Sequence, residues 1–447
     1  MEFRRQGWPQ HEKLRSLPVG RRVGVAAWDV VPVTVRFLDA EVDGHLLPLV
    51  ERDGPDVEID AVGGALLPGL HDHHVHLAAT AAACDSVDLQ GVTGGAQFTA
   101  KLREAEARLP AGSWLRVVNY HESIAGELDR AALDALFTDR PVRVQHRTGI
   151  EWVLNSAALR ATNWLDDHPT GRLVRLDDEL RRRLGSSAPD LGPIVDELRS
   201  HGITGVTDTT PVREVPAPPS GIHVLQCTAP GVGGTSAPVK LLFDDTHVPD
   251  LDALVAAVDT AHRDARNVAV HAVTRAGVAL AISLFDAAGA VRGDRIEHAS
   301  VVPPDLRAAI ARLGLTVVTQ PAFIARRGDD YLRDVEPEDR PWLWPCESLL
   351  RVGIDVLAGS DAPYGPVDPW LAIAAATTRT SPSGRTVGSD APLDAARALA
   401  LFRPLAVGGW CLLDRPLADA LRAPSAEHVR ATCVGDDLRL HRGASLR

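Results

Sequence analysis

The sequence predicts an α/β protein: a distorted (β/α)8 barrel of the TIM type, with an inserted cap segment and a small β-sandwich formed from both chain ends. Three observations predict it. Short apolar runs alternate with helix-patterned segments along most of the chain. Nearly every run ends in a polar side chain capable of chemistry, which is where such barrels keep their active sites. The two ends instead carry alternating runs broken by Gly and Asp. At 447 residues, the chain can hold a barrel of about 250 residues plus additions.

The first end, residues 20–65, contains VTVRFLDAEVDG and DVEIDAV. Residues 408–447 contain GWCLLD, HVRATCVGD and DLRLH. Neither end has enough strands to be stable alone, so the two are expected to join as one domain of residues 1–66 and 401–447. The barrel is expected over 67–400. Its strand-like runs are GALLPGLHDHHVH, GITGVTD, IHVLQC, PVKLLFD, VAVHAV, RIEHAS, LTVVTQP and IDVLAGSD. Runs rich in Val, Ile and Leu are what parallel strands buried on both faces look like. DLDALVAAVDTAHRDAR and PPDLRAAIARLG have helical spacing between them, and Gly314 is placed to cap the second. Two further runs, WLRVVNY and PVRVQHR, fall between the first and second barrel runs. That connection is far too long for a βα unit. Residues 80–195 are therefore expected to contain an insertion covering the barrel mouth. Removing it leaves roughly 220 residues, close to barrel size.

Composition excludes several classes. Net charge is −12, and a phosphate backbone demands a basic face, so no nucleic-acid partner is expected. The N-terminus lacks the apolar core of a signal peptide. No run is long enough to span a membrane. Five scattered cysteines (84, 227, 346, 411 and 433) with no CxxC pair fit reduced thiols and a cytoplasmic setting. The expected partner is a small-molecule substrate; homo-oligomerisation stays open. Of 47 basic residues only three are lysines, Lys13, Lys101 and Lys240. Lys13 and Lys101 lie in polar, helix-like surroundings, whereas Lys240 lies within the apolar run PVKLLFD.

Taken in order, the run ends read His74 and His76, Lys240, His271, His298 and Asp361. Imidazole and carboxylate are the usual ligands of Zn2+ and related cations. An ammonium is not a ligand, but lysine that has reacted with CO2 becomes an anionic carbamate able to bridge two cations. Arginine cannot do this, which accounts for a lysine at 240. The stretch LHDHHVHL offers two His-x-His pairs. On a strand Asp72, His74 and His76 share one face, and His71 and His73 the other. Ligands are expected at the last inward positions, which selects His74 and His76 and turns His71 and His73 outward. Taken singly, each residue has a plainer role. A strand histidine can be a hydrogen-bonded core residue, Ser360–Pro363 a helix cap, and Lys240 the partner of Asp244. Their joint occurrence at successive run ends favours a metal site.

PGLHDHHVHL, GVTD, VK, VAVH, RIEH and GSDAP, in that order, resemble the amidohydrolase superfamily and its amidohydrolase-3 branch, from about residue 60 to 400. The resemblance implies two divalent metal ions, Zn2+ being the commonest choice, bridged by carboxylated Lys240. One ion would take His74, His76, Lys240 and Asp361; the other Lys240, His271 and His298. It also implies that RPVRVQHRTGIEWVLNSAAL is the core of the insert, with Trp152 and Asn155 as pocket residues. Three departures stand out. Ile150 replaces a histidine, Thr274-Arg275 replaces the Gly-Asp-Arg common after His271, and VGGWCLL lacks an Ala-Asp-Leu.

The expected function is hydrolysis of a C–N, amide-type bond in a small molecule. A metal-bridging hydroxide would attack the carbonyl, and the developing oxyanion would be stabilised by a cation. Asp361 would act as general base and then acid. Glu297 precedes His298 on one strand, so the two are not expected to face inward together, and Glu297 is assigned to the barrel wall. His121, Glu122, Gln320, Arg326, Tyr364 and Trp370 are candidate substrate contacts, Trp370 alternatively packing at a helix start. A deaminase of the same superfamily would carry a Glu three residues after its histidine; His271 is followed by Ala-Val-Thr. An ester or lactone hydrolase shares the ligand set. A catalytically inactive scaffold would not need it.

Overall fold

The structure, a computed structural model, describes residues 35–38, 41–42, 45–46, 57–61, 63–185, 188–242, 250–405 and 409–441. Lys13, the N-terminal segment and Asp244 lie outside the described residues, as does part of the expected sandwich.

Eight parallel strands form one sheet: β1 (Leu70–Val75), β2 (Ile203–Val212), β3 (His223–Thr228), β4 (Val239–Leu241), β5 (Val268–Ala272), β6 (Arg295–His298), β7 (Thr316–Thr319) and β8 (Asp355–Ala358). Their order in space is their order in sequence, and β1 meets β8 just past the formal end of the latter. Asp361 N donates to His74 O at 2.7 Å and His76 N to Ala362 O at 2.9 Å. This is the distorted TIM barrel. The strands form where β-branched side chains pack on a pleated surface buried on both faces; every residue of β1, β4 and β6 is buried.

The helices between strands have capped ends. Asp250 accepts from Ala253 N to start Leu251–Arg263, and Thr274 accepts from Gly277 N to start Arg275–Ala288. Thr274, one of the sequence departures, is thus the helix cap directly after β5. Pro304–Leu313 ends at Gly314, whose φ of +68° is the left-handed conformation that glycine adopts most readily.

Both chain ends contribute to an antiparallel sheet of Leu66–Pro68, Gly409–Leu413, Val429–Val434 and Asp437–Leu440. Val35–Leu38 pairs in parallel with Val57–Asp60, and Glu41–Val42 with His45–Leu46 as a short hairpin. Arg199, 1 % exposed, ties the larger sheet to its surroundings. It donates to Thr432 Oγ1 and O, to Gly221 O and to Asp437 O, and pairs with the Asp437 carboxylate at 2.8 Å. The charge is buried only because every face of the guanidinium has an acceptor.

The chain divides into two compact units, one of residues to His76 and from Val195, the other of Leu77–Ile194. The second has its own five-stranded sheet. Leu115–Tyr120 and Val142–His146, the two extra runs, lie at its centre and pair in parallel. Phe98, Leu102, Val117, Leu133, Phe137 and Val144 fill its core. Among the described residues no cysteine forms a disulfide. No helix there is long and apolar enough to cross a membrane.

Candidate metal centre

The parallel register brings the strand ends to one side of the barrel. Ala272 stands opposite His298, and His271 opposite Glu297. Asp361, in the loop after β8, is held beside β1 by its backbone bond to His74. Asp361 Oδ1 lies 3.4 Å from both His74 Nε2 and His76 Nε2, and Oδ2 lies 3.9 Å from His298 Nδ1. One ligand-type atom from each of His74, His298 and Asp361 falls within 4.8 Å of the other two. The His271 ring stands edge-on to that of His298, with centroids 4.6 Å apart. Lys240 is buried, and its amine is close enough to influence His74, His298 and Asp361 electrostatically.

Three of the imidazoles are oriented the same way. His74 Nδ1 meets the Glu297 carboxylate, His76 Nδ1 meets Thr210 Oγ1 at 3.1 Å, and His298 Nδ1 meets Gln320 Oε1 at 3.0 Å. With a proton on Nδ1, His74 and His76 each keep the Nε2 lone pair on the side of Asp361. Metal-binding histidines are held by partners of this kind. Burial, then the nearby Lys240 amine, holds His74 well below the ordinary histidine range; burial, then His271, does the same for His298. Both rings are therefore neutral at pH 7, as ligands must be. Burial also depresses the Lys240 amine, a shift that Glu297 and Cys227 partly oppose. Among buried polar atoms Lys240 Nζ has no hydrogen-bond partner, nor has Gln320 Nε2. An unpaired amine inside a cluster of imidazoles and carboxylates fits a group that is completed by something further.

Backbone conformation marks the same place. His298, Ala299 and Asp361 have φ of +71°, +42° and +54°. Non-glycine residues occupy that region only when the surroundings enforce it, and such positions concentrate at functional sites. The turn at His298 also corrects the expectation for Glu297. Strict alternation would point Glu297 away, but the chain leaves the strand conformation at His298. Glu297 is fully buried, pairs with Arg295 at 2.5 Å and reaches His74. It orients a candidate ligand rather than merely walling the barrel. Gly359 is required by a close approach: a Cβ there would lie 2.4 Å from His74 N.

The outer histidines are also accounted for. His71 Nε2 bonds Thr207 Oγ1 at 3.0 Å, and His73 Nε2 bonds Arg403 O at 2.9 Å. Both are buried among protein groups. Asp72 accepts from His74 N and Ser360 N on one oxygen. Burial nevertheless pushes its pKa up to about 6.

The expected substrate contacts separate. Asn155 uses its whole amide inside the insert: Oδ1 accepts from Val142 N and Ala158 N, and Nδ2 donates to Phe137 O and Arg140 O. It caps Ser156–Ala161 and is fully buried, a structural role in place of a pocket role. Trp370 is likewise fully buried at a helix start, its Nε1 donating to His201 O. Trp152 packs in the insert core between Arg116 and Arg143, with Nε1 on Asp177. Gln320 supports His298. Tyr364 stands edge-on to His76, with ring centroids 6.0 Å apart. Arg326 is exposed on Ala322–Asp334. Glu122 lies in the insert with His121 and His146. Thr210 and Arg295 went unnoticed in the sequence, because neither run order nor residue type marks a supporting side chain.

Similarity to known proteins agrees with this geometry. The family model described as the amidohydrolase family matches residues 57–406. The Bacillus subtilis protein YtcJ, whose name places it among amidohydrolases, is 25 % identical over 397 residues, covering 72 % of this chain and 75 % of its own. The N-substituted formamide deformylase of Arthrobacter pascens is 23 % identical over 434 residues, covering 78 % and 80 %. A metal-dependent hydrolase of Pyrococcus furiosus shares the fold, with a TM-score of 0.60 at 20 % identity over 82 % of this chain and 92 % of that one. With a family match spanning most of the barrel, the chain belongs to the amidohydrolase family and is a hydrolase.

Proposed function

We propose that the protein hydrolyses an amide-type C–N bond of a small molecule at a binuclear metal centre bridged by carboxylated Lys240. The observation that carries this reading is the buried, unpaired Lys240 amine among His74, His298 and Asp361. His74, His76, Lys240 and Asp361 would hold one cation, and Lys240, His271 and His298 the other. Such cations, when bound, make a water nucleophilic at neutral pH and polarise the substrate carbonyl; zinc suits the ligand mix.

The chain's own groups do the rest. Glu297, Thr210 and Gln320 keep three imidazoles in one tautomer. Asp361, its Oδ1 set between His74 and His76, takes the proton of the attacking water and delivers it to the departing nitrogen. Tyr364 borders His76 and is the contact we retain for substrate. The formamide deformylase relative directs attention to N-formyl amines. The test is a panel of N-formyl, N-acyl, lactam, ester and lactone substrates on metal-loaded protein. Turnover of amides over matched esters is expected; esterase or lactonase activity alone would refute the C–N assignment.

Two substitutions follow from the supporting contacts. Glu297→Gln keeps the shape but removes the charge beside His74 and Arg295. Metal affinity should fall about 10- to 100-fold, as for other groups that orient ligands, measured by competition with a chromogenic chelator. An unchanged affinity would reduce Glu297 to packing. By contrast, His71→Gln with His73→Gln should lower the melting temperature and leave metal content per chain as in the wild type. Loss of metal there would mean that the outer pair are the ligands.

A further inference from the structure

The inserted unit holds a second group of metal-ligating side chains. Leu115–Tyr120 and Val142–His146 are parallel neighbours, with Tyr120 opposite His146. His121 and Glu122 follow the first strand and His146 ends the second, so all three gather at the C-terminal ends of two neighbouring strands. One ligand-type atom from each lies within 4.8 Å of the other two. His146 Nε2 and His121 Nε2 sit 3.3 Å and 3.6 Å from the same carboxylate oxygen, Glu122 Oε2. The ring centroids are 5.7 Å apart, tilted by 35°.

These separations have a meaning. The His146–Glu122 contact is a long hydrogen bond and the His121–Glu122 contact is longer than one, whereas an optimal imidazolium–carboxylate pair closes to about 2.7–2.9 Å. Ligand atoms around a tetrahedral zinc, with bonds near 2.0–2.1 Å, stand about 3.3 Å apart. The barrel shows the same pattern, with two imidazole Nε2 atoms each 3.4 Å from one oxygen of Asp361. The orienting device recurs as well. His121 Nδ1 lies 2.8 Å from Ser123 Oγ, and His146 Nδ1 lies 2.8 Å from Thr148 Oγ1. Each hydroxyl belongs to the residue two positions after its histidine, and each contact aims Nε2 at Glu122.

From this we infer that His121, Glu122 and His146 form a separate binding site for a divalent transition cation of the zinc class. The side chains are 24 %, 37 % and 16 % exposed, so an ion can enter and water can complete its coordination. Two imidazoles and one carboxylate with an open fourth position is a donor set that zinc accepts. The main-chain N–H groups of Ser123 and Thr148 also point at the two Nδ1 atoms, at 3.2 and 3.3 Å. With a cation on Nε2 the ring proton moves to Nδ1 and donates to the hydroxyl, and these longer contacts give way. The ion would clasp the ends of the two strands. The rival arrangement is an ion-pair cluster that clasps them without metal.

The experiment uses the full chain, stripped with a chelator and reloaded with Zn2+ or Co2+. His121→Ala with His146→Ala should lower the metal content by about one ion per chain and leave the remainder bound. His74→Ala with His298→Ala, which disables the barrel centre, should still bind about one Co2+ per chain with a visible absorption band. That band should vanish when His146→Gln is added. Unchanged stoichiometry in the insert variant, or a folded barrel variant that binds no cation, overturns the proposal. If the barrel variant does not fold, single His146→Gln in the wild-type background decides, with unchanged metal content overturning the site. Failure of the barrel reading looks different: metal would be absent from the barrel and retained in the insert.

Discussion

Lys240→Ala should leave a folded protein that has lost metal, with kcat/KM reduced about a thousandfold or more. On the proposed binuclear reading, removing Lys240 forfeits several kcal/mol of charge stabilisation, and each 1.4 kcal/mol is about tenfold in rate. The site is 2 % exposed, so the truncation also leaves a cavity, and Lys240→Met serves as a better-packed companion. Lys240→Arg keeps the positive charge but cannot form a carbamate. It should be as inactive as the alanine variant. Short carboxylic acids added to Lys240→Ala should restore part of both metal content and activity by standing in for the carbamate. Metal per chain and kcat/KM, measured together, check this. A Lys240→Ala protein that keeps both would end the binuclear reading.

Asp361→Asn is the second large effect. The backbone at Asp361 is left-handed, with φ of +54°, and asparagine tolerates that conformation better than most residues. The substitution therefore tests the carboxylate and not the turn. Loss of a general base should lower kcat about 100- to 10,000-fold. Metal content measured on the same sample separates two roles. A fall in kcat with metal retained identifies the proton carrier, and a fall that follows metal loss identifies a ligand. An unchanged kcat would remove Asp361 from the mechanism.

The strand-end residues were visible in the sequence for a physical reason. A parallel strand buried on both faces must be apolar, so a histidine, lysine or aspartate closing such a run stands out. That is true of His74, His76, Lys240, His271, His298 and Asp361. Alternation likewise separates His71 and His73, which bond Thr207 and Arg403, from the inner pair. Alternation failed at Glu297, because it presumes a regular strand and His298 leaves that conformation. Asn155 and Trp370 failed for another reason. A polar or aromatic side chain near a loop reads as a ligand contact until its own hydrogen bonds are seen. In the fold Asn155 spends all of them on main-chain groups.

By itself the sequence determined the barrel, the existence of an insert, the pairing of the chain ends and the order of the chemically capable residues. Those follow from local periodicity and from the exclusion of polar groups from buried strands. Only the tertiary structure decided that the Nε2 atoms of His74 and His76 face Asp361, that Glu297 reaches His74, and that His121 and Glu122 meet His146. Those contacts join residues far apart in the chain, and their geometry depends on register and backbone turns that no single strand encodes.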